Sequence, residues 1–211
     1  SGATDGSAVY LTAGKSSAPG TSSGGNIVVA NGVSVTTGTN GRVRLFTGSL
    51  GGSMGVAESA ASEGDGLVAY GSGNFRYNAD ETTDFSSVSW TDLGTSGVYA
   101  IYREQPSVSG TINSETITYG DGLPTFSLSG GTDPVNGDTV VVAIQSPSYS
   151  TANALEVGTY DVTQTNLAEL GYDVGSITDG DLVVGKLTLT GSIANGSSVY
   201  GASLSTGAVT L

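Results

Sequence analysis

The chain has 211 residues, 34 of them glycine and 5 proline, a net charge of −13 with only six Lys and Arg, and no cysteine. The charge argues against nucleic acid as a partner, because phosphate neutralisation needs clustered cations, and the missing cysteines remove disulfide staples. No apolar run approaches membrane-spanning length and no G-x-y period points to collagen, while short clusters of Val, Ile, Leu and Tyr argue against disorder and for an all-β fold with a thin, long core.

No signal peptide opens at Ser1, so an exported protein would have lost its leader or carry it outside this sequence. Apolar pulses come at Ala8–Leu11, Ile27–Val29, Val33–Val35, Val43–Phe46 and Leu67–Tyr70. Val9, Ile27 and Val43 lie 18 and 16 residues apart, and Leu11, Val29 and Leu45 repeat that spacing. A parallel β-solenoid needs such near-periodicity, since each coil sets its inward pair above the last. Gly24-Gly25, Asn31-Gly32 and Asn40-Gly41 supply corners with positive φ. A meander of hairpins is the alternative, with Asn31-Gly32 and Asn40-Gly41 as its tight turns. Gly48 to Gly66, with Met54, Glu58, Glu63 and Asp65, reads as a polar excursion with a short helical turn over Val56–Ala61, serving as a cap or carrying contacts.

The runs Gly24–Val35 and Val43–Ser49, extended through Phe75–Asn78 to Gly97–Glu104, resemble a filamentous-haemagglutinin-type exoprotein. The resemblance implies the terminal coils and cap of a right-handed parallel β-helix over 1–105. It also implies two-partner secretion, with an outer-membrane secretion partner and a location outside the bacterial cell.

Asp80, Glu81 and Asp84 form an acidic knot before Phe85 and Trp90, the single tryptophan. Acids beside aromatics suit a sugar shelf or a calcium site, but the Asp-x-Asp/Asn-x-Asp/Asn-Gly grammar of a calcium loop is missing. The favoured reading has Trp90 and Phe85 plugging the open end of the solenoid core, with no cofactor required. Val98, Ala100 and Tyr102 then alternate with Tyr99, Ile101 and Arg103 in a strand that Pro106 stops.

After Pro106 the spacing predicts strands at Val108–Ile117, Phe126–Leu128, Thr139–Gln145, Gly158–Val162, Tyr172–Val174 and Leu182–Val184, the last continuing into Leu187–Leu189. The continuous apolar run Thr139–Gln145 suits a strand buried on both faces. At an offset of 81 the chain resembles itself: Val108 meets Leu189, Gly110 Gly191, Ile112 Ile193, Tyr119-Gly120 Tyr200-Gly201. So long a period marks tandem small domains. The second copy spans only about twenty-five residues and opening strands alone cannot close a sheet. A fragment of a longer repetitive protein is therefore expected, or a tail that pairs with another molecule. Ile117–Pro124, Val157–Tyr160, Gly171–Val174 and Gly180–Leu182 resemble the mostly-β, glycine-rich (MBG) repeat of bacterial surface stalks. That resemblance implies a β-sandwich-like module over 106–186 and the start of another over 187–211.

With no His and no Cys, nucleophilic hydrolysis has almost no players. The expected role is a structural stalk in a secreted adhesin or biofilm-matrix protein, not an enzyme, with surface polysaccharide or a host receptor met by a shelf of Trp90, Asp80, Glu81 and Asp84 or elsewhere in the whole protein. A second reading is a self-assembling filament in which Leu187, Leu189, Ile193, Val199 and Val209 add as strands to a neighbouring molecule. A third is a polysaccharide-active β-helix using Glu58, Glu63 and Asp65.

Overall fold

A computed structural model of the chain describes residues 7–29, 35, 37–53, 68–196, 198–203 and 209–210. The Asn31-Gly32 corner, the acids Glu58, Glu63 and Asp65 and the Val56–Ala61 turn lie outside the described residues. Thirteen strands and one four-residue helix are found among the described residues, so the fold is all-β. No helix among them is long and apolar enough to cross a membrane.

The first sheet joins β1 (Ser7–Thr12), β2 (Arg42–Thr47), β3 (Phe75–Arg76) and β4 (Gly97–Tyr102) in the order β1-β2-β4-β3. All three of its pairings are parallel, so none of these four strands is a hairpin arm of its neighbour. Val9 pairs with Val43 and Leu11 with Leu45, so the repeated spacing does set residues side by side. The interval is 34 residues, however, because Ile27 and Val29 form no rung between them. They pack as a loop on the sheet's core, with the Ile27 N–H donating to Thr47 Oγ1 at 2.9 Å. β3 also breaks the simple order, since it precedes β4 in the chain yet lies beyond it in the sheet.

Both faces of this sheet are covered, as parallel sheets require. Val43, Leu45, Phe75, Ala100 and Tyr102 face one cluster, and Phe46, Tyr99 and Ile101 face another with Ala79, Phe85 and Leu93. The loops that cover them are tied down by buried arginines. Arg103 is fully buried and donates to the carbonyls of Ala13 (2.6 Å), Ser23 (3.1 Å) and Gly25 (3.0 Å). Arg76 reaches the carbonyls of Thr91, Gly73, Phe75 and Asp92, and Arg42 those of Leu93 and Gly94. The approach is so close that Gly14, at φ +75°, admits no side chain: a Cβ there would strike the Gly24 carbonyl and sit 2.7 Å from Arg103 Nη2.

After Pro106 come β5 (Ser107–Ile112), β6 (Glu115–Thr118), β7 (Leu128–Ser129), β8 (Val142–Ile144), β9 (Gly158–Gln164), α1 (Leu167–Leu170), β10 (Asp173–Thr178) and β11 (Gly180–Gly185). They form two mixed sheets, β10-β5-β7 and β6-β11-β9-β8. Ile112, Val162, Leu182 and Val184 are the buried centre between them, joined by Leu155, with Leu128, Val142 and Ile177 packed around. β11 alternates cleanly, with Gly180, Leu182 and Val184 inward and Asp181 and Val183 outward. Thr139–Gln145 departs from expectation: only Val142–Ile144 is strand, it lies at the sheet edge, and Val141 is 49% exposed. A run of small apolar residues does not distinguish a central strand from an edge. β11 likewise stops at Gly185 instead of continuing through Leu189. The helix α1 was not anticipated; Gly171, left-handed at φ 98°, closes it with N–H bonds from Gly171 to Ala168 and from Tyr172 to Leu167.

The last strands, β12 (Ser192–Ile193) and β13 (Val209–Thr210), reproduce an earlier pairing. Ile112 faces Leu128 and Thr111 faces Ser129; 81 positions later Ile193 faces Val209 and Ser192 faces Thr210. The turn repeats too. Asp121 N–H donates to Thr118 and Ala202 N–H to Val199, with Gly120 at φ 93° and Gly201 at φ 89°.

Arg103→Lys keeps the charge but loses the planar fork that serves three carbonyls at once. The expected loss in denaturant unfolding is about 2–4 kcal/mol, against a change within about 0.5 kcal/mol for the exposed Lys15→Ala. Equal stability of the two variants would show the fork to be dispensable.

Candidate functional site

The most densely organised polar group lies where the residues before and after Pro106 meet. Tyr77, just past β3, is drawn there by its N–H bond to the Leu170 carbonyl at the end of α1 (2.9 Å). Gly171, next in line, passes so close to Tyr77 that any Cβ would strike the Tyr77 carbonyl and lie 3.1 Å from the Trp90 ring. The Tyr77 ring stacks on Tyr102 (centroids 5.7 Å apart, 19°) and tilts against Tyr172 (4.6 Å, 57°). Val43, Leu45, Phe75 and Ala100 on one side and Val108, Leu167, Leu170 and Tyr172 on the other form one buried cluster around these rings.

Their hydroxyls converge on a single carboxylate. Tyr77 and Tyr172 each donate to Asp138 Oδ2 at 2.8 Å. Asn136 Nδ2 donates to the Tyr77 hydroxyl at 3.0 Å, and the Val135 N–H to the Tyr172 hydroxyl at 3.1 Å. The sequence presents Asn136-Gly137-Asp138 as turn chemistry, and a turn it is, with the Asp138 N–H on the Val135 carbonyl. Burial pushes the Asp138 carboxyl above its ordinary range, against the opposing pull of the two phenols and Arg76. Both tyrosines are pushed up as well, chiefly by burial. A cleft of about 280 Å³ opens beside the group, lined by Asp138, Thr91, Thr139, Asn166, Leu170 and three glycines. The Asn166 amide is already spent on the Val141 N–H and the Thr139 carbonyl. One carboxylate with an oxygen held by two phenols makes a fastening, not an acid–base pair.

The acids expected near Trp90 do not converge. Asp80 Oδ1 accepts from Thr82 N–H (2.8 Å) and from the Thr82 and Thr83 hydroxyls. Asp84 Oδ1 accepts from Ser86 N–H and Oγ, and Glu81 Oε1 from Ser16 N–H. Slight burial works against the Asp80 charge, and the hydrogen bonds from Thr82 and Thr83 outweigh it and lower its pKa; the Ser86 bonds lower that of Asp84. Asp80 and Asp84 staple their own turns, and Glu81 ties its turn to the distant loop at Ser16. Among the described residues no three acids gather as a metal site would need. Trp90 meets Phe85 edge to face (5.3 Å, 70°) and packs on the face carrying Phe46, Tyr99 and Ile101. The aromatic pair thus covers the middle of the parallel sheet, not its end. Leu187, Leu189 and Val199 are exposed, at 54%, 73% and 79%, and Ile193 and Val209 are paired backbone to backbone.

The sequence did not single out Tyr77, Asp138 or Tyr172. Tyr172 sat inside a run read as strand, Tyr77 inside the Phe75–Asn78 run quoted for a resemblance, and Asp138 inside a turn. Comparison with protein-family models, with curated proteins and with solved structures finds no match for this chain.

The Asp138 carboxyl takes up a proton more readily folded than unfolded. Its contribution to stability is therefore full below its ordinary pKa of 3.8 and is lost as pH rises through the raised folded value. Asp80 and Asp84 work the other way, losing their contribution as pH falls through their lowered values. Melting curves of wild type and Asp138→Asn over the acid range isolate the first effect: wild type should fall relative to the variant as pH climbs, and parallel curves would refute the assignment.

Proposed function

We propose that the chain is a shaft segment of a secreted or surface-exposed bacterial exoprotein of the adhesin or biofilm-matrix kind. In this reading residues 1–105 are terminal coils and cap of a right-handed parallel β-helix, 106–186 an MBG-type module, and 187–211 the opening strands of another. The resemblances of Gly24–Ser49 and Ile117–Leu182 motivate it. The parallel pairing of β1, β2 and β4 and the register that repeats after 81 residues support it.

One observation carries the mechanical part: the buried cluster runs unbroken past Pro106, from Val43 and Phe75 to Val108 and Tyr172. Three backbone hydrogen bonds cross the same boundary, from Tyr77 to Leu170, Gly71 to Asn136 and Thr91 to Glu169. A flexible linker between domains would lack both. Tension arriving at one half is passed to the other through packed rings and the shared carboxylate. The reading assigns this segment no catalytic step, and places contact with polysaccharide or receptor elsewhere in the whole protein.

Pulling the chain by its ends in an optical trap tests the shaft. Residues 37–185 should yield as one cooperative event, and Tyr77→Phe, which removes the hydroxyl held by Asp138 and Asn136, should lower the unfolding free energy by about 1–2 kcal/mol. Two independent events divided near Pro106 would defeat the proposal.

A further inference from the structure

Two features of the second half have no partner strand among the described residues and fit each other. The first is the open side of β8. Ala143 lies opposite Thr163, the Thr165 N–H donates to Val141 and the Gln145 N–H to Asp161. Bonded residues alternate along an antiparallel ladder, so the amides and carbonyls of Val142 and Ile144 point away from β9, to the side where none of the described strands lies. A groove of about 380 Å³ opens beside that edge, lined by Leu123, Phe126, Val142, Ile144, Pro147 and Tyr149 among others, with no acid and no base. Edge strands are ordinarily guarded by a charge or a proline. Val140-Val141-Val142-Ala143-Ile144-Gln145 has neither.

The second feature is Leu187-Thr188-Leu189-Thr190. It alternates as a half-buried strand does, yet it belongs to no sheet, and both leucines are more than half exposed. No charged residue occurs from Leu187 to Leu211. On a chain of net charge −13, a neutral surface lets copies touch without bringing like charges together.

The segment cannot serve its own groove. A strand added to β8 would lie three strand positions from β11, about 14 Å at a spacing of 4.7–4.9 Å. Leu187 follows Gly185, the end of β11, by two residues, a reach of about 7 Å at most. We propose that Leu187–Thr190 of one copy adds as a strand to the open side of β8 of a second copy, Leu187 and Leu189 entering the groove. Donor and acceptor are different surfaces, so the contact is head-to-tail and builds open chains of copies, not closed dimers. This goes beyond the shaft reading, which a strictly monomeric protein would leave intact.

Sedimentation velocity on the full chain over a concentration series tests it. Wild type should give a ladder of oligomers. Leu189→Asp, which lacks a donor, and Leu123→Asp, which spoils the groove, should each sediment as monomer with the melting curve of wild type, since both side chains are exposed. An equal mixture of the two variants should form dimers and nothing larger, because one retains the acceptor and the other the donor. Monomeric wild type at every concentration, oligomers that survive Leu123→Asp, or a mixture that stays monomeric would each overturn the proposal.

Discussion

The first half of this protein depends on guanidinium groups directed at backbone carbonyls. A chain so rich in glycine and serine cannot cover a parallel sheet with bulky side chains, and its loops must present carbonyls to the interior. A buried carbonyl without a donor is costly, and arginine supplies five N–H groups in a fixed fork. Arg103 brings three carbonyls of the 13–25 loop against the end of β4, and Arg76 fixes the loop around Thr91 and Asp92. Glycines at 14, 24 and 25 let the backbone come close enough to be held. Irregular loops thereby become as fixed as the strands they cover.

Tyrosine solves the related problem at the junction. A phenol buries a ring and keeps a polar tip, so Tyr77 and Tyr172 belong at once to the apolar cluster and to the network around Asp138. Tyr102 contributes only its ring, its hydroxyl being buried without a hydrogen-bond partner, and burial raises its pKa. The carboxylate between the phenols makes the seam directional as well as adhesive, because packing tolerates sliding and short hydrogen bonds do not.

The strands were largely legible because alternation is a local signal. Val98, Ala100 and Tyr102 do face one cluster while Tyr99 and Ile101 face the other. The opening strands of the second half fall where Val108–Ile117 placed them, interrupted only at Asn113 and Ser114. What depends on partners distant in sequence was not legible. Ile27–Val29 has the composition of a rung, and only the whole sheet reveals that β2 pairs directly with β1. The acids around Trp90 admitted a ligand shelf as an alternative reading because sequence shows which carboxylates are neighbours but not the hydrogen bonds from Thr82, Thr83, Ser86 and the Ser16 N–H that engage them. Tyr77, Asp138 and Tyr172 gave no signal, since none of them is near another until the chain has folded. The 81-residue offset, by contrast, was visible in the sequence because it is a comparison of the chain with itself.

The inward use of arginine has an electrical consequence. Arg42, Arg76 and Arg103 are three of the six cations in the sequence, and all are enclosed. The outer skin is therefore poorer in positive charge than the net value suggests, and mobile cations from solution must supply most of its neutralisation. At physiological ionic strength that ion cloud decays over about 8 Å. A dense brush of such chains would swell in dilute salt and contract in brine, while the sealed guanidinium ties within each one remain unscreened.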